Sequence, residues 1–272
     1  MAFLKYKNYD IYYNVTGEGK PILVLNGIMM STLSWEPLMP QFGANNKVIR
    51  LDMLDQGQSS KATSEYTQDV QVEIIKALLD ELKIAKVNIV GISYGGEVAL
   101  QFAVKYQSYI DRLVLSNTTA YTSPWIADIG KAWNIAAQSG NGESYYFTTI
   151  PVIYSPSFYE EKLNWMRNRE KVLFPVFSNK VFTDAMIRLT NSANTHNVVD
   201  KLKTISVPTL VIGADQDYLT PFPQQELINK EIANSKLVKI CSCGHASMYE
   251  QPLVFTSLVL GFINISEVDF KI

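Results

Sequence analysis

Val90-Gly91-Ile92-Ser93-Tyr94-Gly95-Gly96 contains the pattern G-x-S-x-G between two regular segments. The apolar run Val87–Val90 precedes the pattern and favours a strand, whereas Glu97–Ala103 has the spacing of a helix. In that context the serine is typical of a sharp, strained turn that lifts its hydroxyl clear of a sheet. Glycines flank it because such a turn leaves no room for side chains. We therefore predict that Ser93 is a nucleophile rather than an incidental serine in a glycine-rich turn.

Strand-like and helix-like segments alternate along most of the chain. Apolar or alternating runs predict strands at Tyr9–Val15, Pro21–Leu25, Lys47–Leu51, Val87–Val90, Leu113–Leu115, Pro208–Gly213 and Lys236–Ile240. Helical patterns are found at Ser34–Phe42, from a cap at Thr67 through Leu82, after Gly96, and at Pro252–Ile263. This alternation predicts an α/β fold with a doubly wound, mostly parallel sheet.

The alternation is interrupted between Asn117 and about Ser206. Only helical patterns occur there, around Ile126–Ala137, Pro156–Arg169 and Asn179–Asn191. We predict a helical cap of residues 119–205, inserted over the carboxyl edge of the sheet into an α/β core of residues 1–118 and 206–272.

The predicted cap is rich in aromatic residues. Thirteen of the chain's 31 aromatics lie between Tyr121 and Phe182. Some are expected to form the core of the cap, and others to line an apolar pocket between cap and sheet. The residues predicted to contact a substrate are Asn26, Met29, Tyr121, Trp125, Tyr146 and Tyr154.

A serine hydroxyl needs an adjacent base, and the chain has only two histidines. His245 follows the last predicted strand, so we expect it at the same sheet edge as Ser93. His196 lies in the predicted cap with no strand before it, in a polar segment typical of a helix end or turn. His245 is therefore the predicted base.

A third residue should orient the imidazole and stabilise its protonated form. The loop after Leu210-Val211-Ile212-Gly213 offers two carboxylates, Asp215 and Asp217. We favour Asp217 because it lies further over the sheet edge toward His245, whereas Asp215 can hydrogen-bond within its own turn. The loop after Leu115 contains no carboxylate and so supplies no such residue.

An oxyanion intermediate requires hydrogen-bond donors near the nucleophile. The residue after the serine supplies one backbone N–H, and the loop after an earlier strand supplies the second. Asn26-Gly27-Ile28-Met29 directly follows the strand Pro21–Leu25. We therefore assign the donors to the backbone N–H groups of Ile28 and Tyr94, on position alone.

Cys241, Cys243 and His245 could suggest a zinc site, but a fourth ligand is lacking and the histidine is needed by the serine. We expect no metal and no cofactor. The two cysteines are too close in sequence for an ordinary structural disulfide, which favours a reducing, cytoplasmic setting.

The composition argues against several classes of partner. A formal charge of −2 without charged runs disfavours nucleic-acid binding. We expect no membrane span, because no apolar run reaches the roughly 18 residues required, and Met1–Lys7 does not have the pattern of a signal peptide. A small molecule is the predicted partner, and we expect a monomer or homodimer.

Taken together, these motifs resemble the α/β-hydrolase fold family over nearly the whole chain. The matching segments are Asn26-Gly27, Asp52–Ser59 with Asp55 where glycine is usual, Gly91–Gly96, Gly213–Pro221 and Gly244–Pro252. The resemblance implies a triad of Ser93, Asp217 and His245, since counting back from Pro221 again selects Asp217. A serine nucleophile excludes the dehalogenase-like branch, which uses aspartate.

The resemblance points to more than one substrate class. Leu25–Met29 is similar to a segment of 3-hydroxyacyl-transferring enzymes, although those have Ser-Trp-Gly-Gly where this chain has Ser93-Tyr94-Gly95-Gly96. The segment Ile150–Phe158 is closer to small bacterial esterases and enol-lactonase-like hydrolases. We expect hydrolysis of an ester, lactone or thioester with an apolar acyl or aryl group. A 3-hydroxyacyl thioesterase or acyltransferase and a non-enzymatic small-ligand receptor are the alternatives.

Overall fold

The computed structural model describes residues 2–265, in which eight strands form a single sheet. The strands are β1 (Ala2–Tyr6), β2 (Tyr9–Thr16), β3 (Lys20–Leu25), β4 (Asn46–Leu51), β5 (Val87–Ile92), β6 (Ile110–Ser116), β7 (Thr209–Ala214) and β8 (Ser235–Ile240). Their order is β1-β2-β4-β3-β5-β6-β7-β8. Only the β1–β2 and β2–β4 pairs are antiparallel. The predicted mostly parallel, doubly wound sheet is confirmed.

Eleven α-helices accompany the sheet within the described residues. They are α1 (Met39–Phe42), α2 (Asp69–Glu81), α3 (Tyr94–Tyr106), α4 (Pro124–Gln138), α5 (Gly142–Thr149), α6 (Pro156–Glu161), α7 (Leu163–Phe177), α8 (Lys180–Ser192), α9 (Pro223–Glu231), α10 (Ser247–Glu250) and α11 (Pro252–Asn264). Two buried apolar clusters cover opposite faces of the sheet, as a sheet buried on both sides requires. One cluster includes residues of α2 and α3, and the other includes residues of α11.

Some local predictions differ from the structure. The predicted helix Ser34–Phe42 is a 3-10 helix, Thr32–Leu38, followed by the short α1. Pro37 lies inside the 3-10 helix and lacks a backbone N–H, which disfavours a regular α-helix there. Thr67 does not cap α2, because Gln68 occupies the cap position and the Thr67 hydroxyl contacts Asp69 instead. Strand β1 and helices α5, α9 and α10 were not predicted, and the single helix predicted around Pro156–Arg169 is divided between α6 and α7.

Helices α4 to α8 lie between β6 and β7 in the chain, in the region predicted to be a cap. An ion pair links this helical layer to the loop after β4: Arg188 on α8 donates to both carboxylate oxygens of Asp55, at 3.0 and 2.6 Å. The Asp55 side chain is fully buried, so the contact is shielded from solvent. Within residues 2–265, no helix combines the length and apolar character needed to cross a membrane.

Candidate active site

Ser93 occupies the tight turn between β5 and α3. Its backbone has φ 52° and ψ −120°, a conformation that side-chain-bearing residues rarely adopt. A Cβ added at Gly91 would lie 2.6 Å from the Gly95 carbonyl oxygen, and one at Gly95 would lie 2.4 Å from that of Leu25. Because these approaches exclude any side chain, the two glycines make the turn possible.

Asp217 and His245 form a buried pair beyond the ends of β7 and β8. His245 Nδ1 lies 2.9 Å from Asp217 Oδ2, and the Asp217 side chain is completely buried. The backbone N–H groups of Leu219 and Thr220 donate to Asp217 Oδ1 at 2.9 and 2.8 Å. Burial alone would raise the pKa of Asp217, but the charge and hydrogen bond of His245, with hydrogen bonds from the Asn117 amide and the Thr220 N–H, hold that pKa below its usual range.

Asp215, the alternative carboxylate, takes a different position. Its Oδ1 accepts a hydrogen bond from the Cys243 backbone N–H at 3.2 Å. The side chain thus ties the loop after β7 to the loop after β8. Of the two aspartates, Asp217 is the one that contacts the His245 imidazole, whose Nδ1 also lies 3.2 Å from the Thr220 hydroxyl.

Ser93 and His245 both line a cavity of about 860 Å³ between the sheet edge and the helical layer. Within residues 2–265, no hydrogen bond joins Ser93 Oγ to His245 Nε2. Catalytic hydrogen bonds are often long or poorly aligned in ligand-free enzymes and shorten when substrate binds.

Ile28 also lines the cavity, and Tyr94 begins α3 directly after Ser93. The backbone N–H groups of Ile28 and Tyr94 have no hydrogen-bond partner in the described part of the chain. Both are therefore free to bind an incoming oxygen, as the predicted oxyanion hole requires.

A family model described as "alpha/beta hydrolase fold" matches residues 20–252, which include Ser93, Asp217 and His245. The chain belongs to this family.

Relatives with known sequences or structures agree with this membership. A solved structure of MGS-M2, an alpha/beta hydrolase enzyme from a Medee basin deep-sea metagenome library, is 50% identical, covers 100% of both chains and has a TM-score of 0.97. A hydrolase from Pseudomonas aeruginosa PA01 is 26% identical over 97% of this chain and 98% of that one, with a TM-score of 0.86. The 2-hydroxymuconate semialdehyde hydrolase of Pseudomonas sp. (strain CF600) is 25% identical over 91% of this chain and 88% of its own. The comparisons support a hydrolase.

Of the six predicted substrate contacts, Met29 and Tyr154 line the cavity. Tyr146 is instead buried within the helical layer, where its hydroxyl donates to the Met166 carbonyl at 3.2 Å. Trp125 is 58% exposed, and its indole N–H donates to the Tyr218 carbonyl.

Tyr121 and Asn26 also lie outside the cavity lining. Tyr121 forms an isolated bridge with Asn197. Asn26 is fully buried and donates to the Leu51 carbonyl and to Gln56, while its oxygen accepts from the Trp35 indole at 2.8 Å. Asn26 therefore holds the loop that carries Ile28. Composition alone does not separate aromatic or polar residues of a core from those that line a pocket.

Glu250 also belongs to this region, although no role was predicted for it from the sequence. Its carboxylate accepts from the Gly244 N–H at 3.0 Å, from the Ser155 N–H at 3.0 Å and from the Ser155 hydroxyl at 2.6 Å. It thus fixes the loop of His245 against the helical layer. The family-like segment Gly244–Pro252 contains this residue, but its contact with Ser155 depends on the tertiary structure.

The three arginines of the helical layer all have protein partners. Arg188 pairs with Asp55, and Arg167 pairs with Glu170 on the surface. The Arg169 guanidinium lies 4.8 Å from the Trp165 ring centroid and 5.6 Å from that of Tyr249. Arg169 lines the large cavity, and its Nε has no hydrogen-bond partner within residues 2–265, but neither of the other two arginines lines the cavity with it.

His196, the second histidine, is buried away from the Asp217–His245 pair. Its Nε2 lies 3.0 Å from the Thr119 carbonyl oxygen, and its Nδ1 lies 2.9 Å from the Gln101 amide nitrogen. Burial lowers its pKa to about 4, so the ring is neutral at pH 7. Among residues 2–265, no group of three His, Cys, Asp or Glu side chains could hold a metal ion.

Proposed function

We propose that this chain hydrolyses a carboxylic ester, lactone or thioester through an acyl-enzyme on Ser93. The observation that carries the proposal is the Asp217–His245 contact of 2.9 Å, with His245 and the strained Ser93 facing one cavity. Family membership and the hydrolase relatives support the reaction class.

In this mechanism, His245 Nε2 takes the proton of Ser93 as the hydroxyl oxygen attacks the substrate carbonyl. Asp217 holds Nδ1 protonated and stabilises the imidazolium. The N–H groups of Ile28 and Tyr94 bind the oxyanion. His245 then returns the proton to the leaving alcohol or thiol. Water, activated by the same histidine, attacks the acyl-enzyme, and the acid is released.

The large cavity supports an apolar acyl or aryl group as the part that is bound. Many of its lining residues are apolar, including Met29, Met30, Leu33, Ile150 and Ile153. An alkyl chain buried there should contribute up to about 0.8 kcal/mol per methylene. We therefore expect kcat/KM to rise roughly three- to fourfold per carbon until the cavity is filled.

The test uses a fluorophosphonate probe and p-nitrophenyl esters of increasing chain length. Labelling should occur on Ser93, and Ser93→Ala should abolish both labelling and turnover. Ser34→Ala removes another hydroxyl from the same cavity and should leave both nearly unchanged. Turnover retained by Ser93→Ala would disprove the acyl-enzyme, and a flat chain-length profile would disprove the apolar site.

The same assay separates hydrolysis from the two alternatives. Acyl-CoA esters are supplied with and without a hydroxy-acid acceptor, and the products are identified by mass. An acylated acceptor as the main product would indicate a transferase. Release of only about one acyl group per chain over hours would indicate a receptor, since enzymes cycle far faster.

A further inference from the structure

A second, smaller cavity also borders Ser93. This side cavity has a volume of about 70 Å³, and it shares Ile28, Ser93, Trp133 and Leu219 with the large cavity. A water molecule needs about 10–15 Å³ of such space, so the side cavity admits a group of a few heavy atoms. A substrate attached at Ser93 can therefore place a bulky part in the large cavity and a small part in the side cavity.

Glu97 lines the side cavity and is only 6% exposed. One carboxyl oxygen, Oε2, accepts a hydrogen bond from the Gln68 amide nitrogen at 2.6 Å. The other oxygen, Oε1, has no partner within residues 2–265, and it is not among the fully enclosed polar atoms that lack one. Oε1 is thus the carboxyl oxygen of this cavity-lining residue that is left to bind a further group.

A chain of hydrogen bonds determines how Glu97 presents that oxygen. The Thr119 carbonyl can only accept, so His196 donates from Nε2 and its Nδ1 is an acceptor. The Gln101 amide nitrogen therefore donates to His196 Nδ1 and also to the Gln68 carbonyl oxygen. This leaves the Gln68 amide nitrogen as the donor to Glu97 Oε2.

The same series of hydrogen bonds determines which oxygen of Glu97 carries the proton when the carboxyl group is neutral. Oε2 already accepts from Gln68, so the proton of the neutral acid belongs on Oε1. Burial raises the pKa of Glu97 to about 8, with the Gln68 hydrogen bond opposing the rise, so the acid is neutral at pH 7. A neutral carboxyl with its proton on Oε1 is a hydrogen-bond donor on a residue that lines the side cavity.

The titratable groups near Glu97 bring no charge that would favour its ionised form at pH 7. Tyr94 donates its hydroxyl to Ser192, and burial raises its pKa further above the neutral range. His196 stays neutral above about pH 4. The residues that face the cavity from the helical layer, including Thr122, Thr190 and Asn194, carry no charge.

We propose that the neutral Glu97 carboxyl selects substrates whose smaller part carries a hydrogen-bond acceptor, such as an ether, carbonyl or hydroxyl oxygen. Glu97 is then a specificity-determining residue, not a member of the acid–base machinery. The proposal rests on the proposed ester hydrolysis at Ser93. It adds that the substrate is bipartite, with an apolar bulky part and a small oxygen-bearing part.

The test compares p-nitrophenyl methoxyacetate with p-nitrophenyl butyrate, whose acyl groups differ by one oxygen in place of a methylene. The aromatic group is too large for the side cavity, so a short acyl group is directed there, whereas an acyl chain too long for the side cavity binds in the large cavity. The measured quantity is the ratio of the two kcat/KM values. Comparing this ratio between wild type and variants removes the difference in intrinsic reactivity of the two esters.

Glu97→Leu should lower the ratio about three- to tenfold, as expected for loss of one hydrogen bond. Glu97→Gln should retain it, because its amide can accept from Gln68 and donate into the cavity. Between about pH 6 and pH 9 the wild-type ratio should fall as Glu97 ionises, whereas the Glu97→Gln ratio should stay flat. If Glu97→Leu does not fold, this pH comparison still decides.

An unchanged ratio in Glu97→Leu, or the same pH dependence in wild type and Glu97→Gln, would overturn the proposal. Fluorophosphonate labelling of Ser93 reports separately on the proposed reaction.

A second experiment measures binding without turnover in the Ser93→Ala variant. It follows the infrared carbonyl band of protonated Glu97, which is assigned as the band that is lost in the double variant Ser93→Ala/Glu97→Gln. Saturating phenyl methoxyacetate should shift this band and phenyl butyrate should not, since the phenyl group is again too large for the side cavity. Equal spectra with both would overturn the proposal, whatever the reaction.

Discussion

Two buried polar regions, each containing one histidine and one carboxyl group, lie near Ser93. In the first, His245 contacts Asp217 directly at 2.9 Å. In the second, Gln68 and Gln101 separate His196 from Glu97. The pKa of Asp217 is held below its usual range, whereas that of Glu97 is raised to about 8.

The difference shows that the partner, not burial alone, decides the charge of a buried carboxyl. Both side chains are removed from water, and burial disfavours the carboxylate form in each case. Asp217 has an imidazole that can carry a positive charge and several N–H donors. Glu97 has one amide. The first region is therefore suited to proton transfer, and the second to neutral hydrogen bonding.

Replacing the two histidines tests this comparison with the largest expected effect. His245→Ala should lower kcat by roughly 10⁴- to 10⁶-fold, because Ser93 loses its base. His196→Ala should change kcat by less than about tenfold but destabilise the fold by about 1–3 kcal/mol, since Thr119 and Gln101 lose a buried partner. Ester turnover and urea unfolding measure the two effects. A comparable loss of kcat in both variants would refute the division of roles.

The two aspartates of the loop after β7 provide the next comparison. Asp217→Asn should lower kcat on the order of 10⁴-fold, because an amide favours the wrong tautomer of His245. Asp215→Asn should have a mild effect, since among residues 2–265 the Asp215 side chain accepts a hydrogen bond only from the Cys243 N–H. Single-turnover kinetics of the two variants give the ranking, and the reverse order would show that Asp217 is not the orienting acid.

Glu97→Gln should change the pH dependence of stability. The folded-state pKa of about 8 exceeds the ordinary value of 4.5, so this group loses stabilising free energy as pH rises between those values. Wild type should therefore lose up to a few kcal/mol relative to Glu97→Gln over that range, at about 1.4 kcal/mol per pKa unit. Urea unfolding of both proteins across this range measures the difference. A constant difference would mean that Glu97 is ionised throughout.

Gln68→Met should have the smallest effect. The Gln68 amide stabilises the charged form of Glu97, so its removal should raise the Glu97 pKa further, by about one unit if the hydrogen bond contributes about 1 kcal/mol. The carbonyl band of the neutral carboxyl, followed by infrared spectroscopy against pH, reports this shift. Gln71→Met is the matched control. It removes an amide three residues further along, which hydrogen-bonds to the backbone of Leu54 and not to Glu97. A lowered pKa in Gln68→Met would contradict the assigned direction of the hydrogen bond.

Features with a local or periodic cause were predictable from the sequence. The buried strands were visible as continuous apolar runs, because strands covered on both faces have no polar side. The turn at Ser93 could be predicted because it requires glycine on both sides. At Gly91 and Gly95 the backbone of neighbouring segments comes too close for any side chain. The order of strand-end motifs predicted which loops share an edge, since parallel strands end on the same side. The sequence thus determined the fold and the candidate nucleophile, base and acid.

Other features exist only where distant segments meet, and the tertiary structure alone decided them. Tyr146 and Tyr154 are both tyrosines of the helical layer that were predicted to contact a substrate. Tyr146 is buried within that layer, whereas Tyr154 lines the cavity. In the sequence, Glu97 has no feature that separates it from other helical residues. Its hydrogen bond with Gln68, 29 positions earlier, exists only in the folded chain. Charge state and pocket position depend on which groups surround a side chain and on how much water they exclude. Those surroundings come from long-range packing, and no local pattern encodes them.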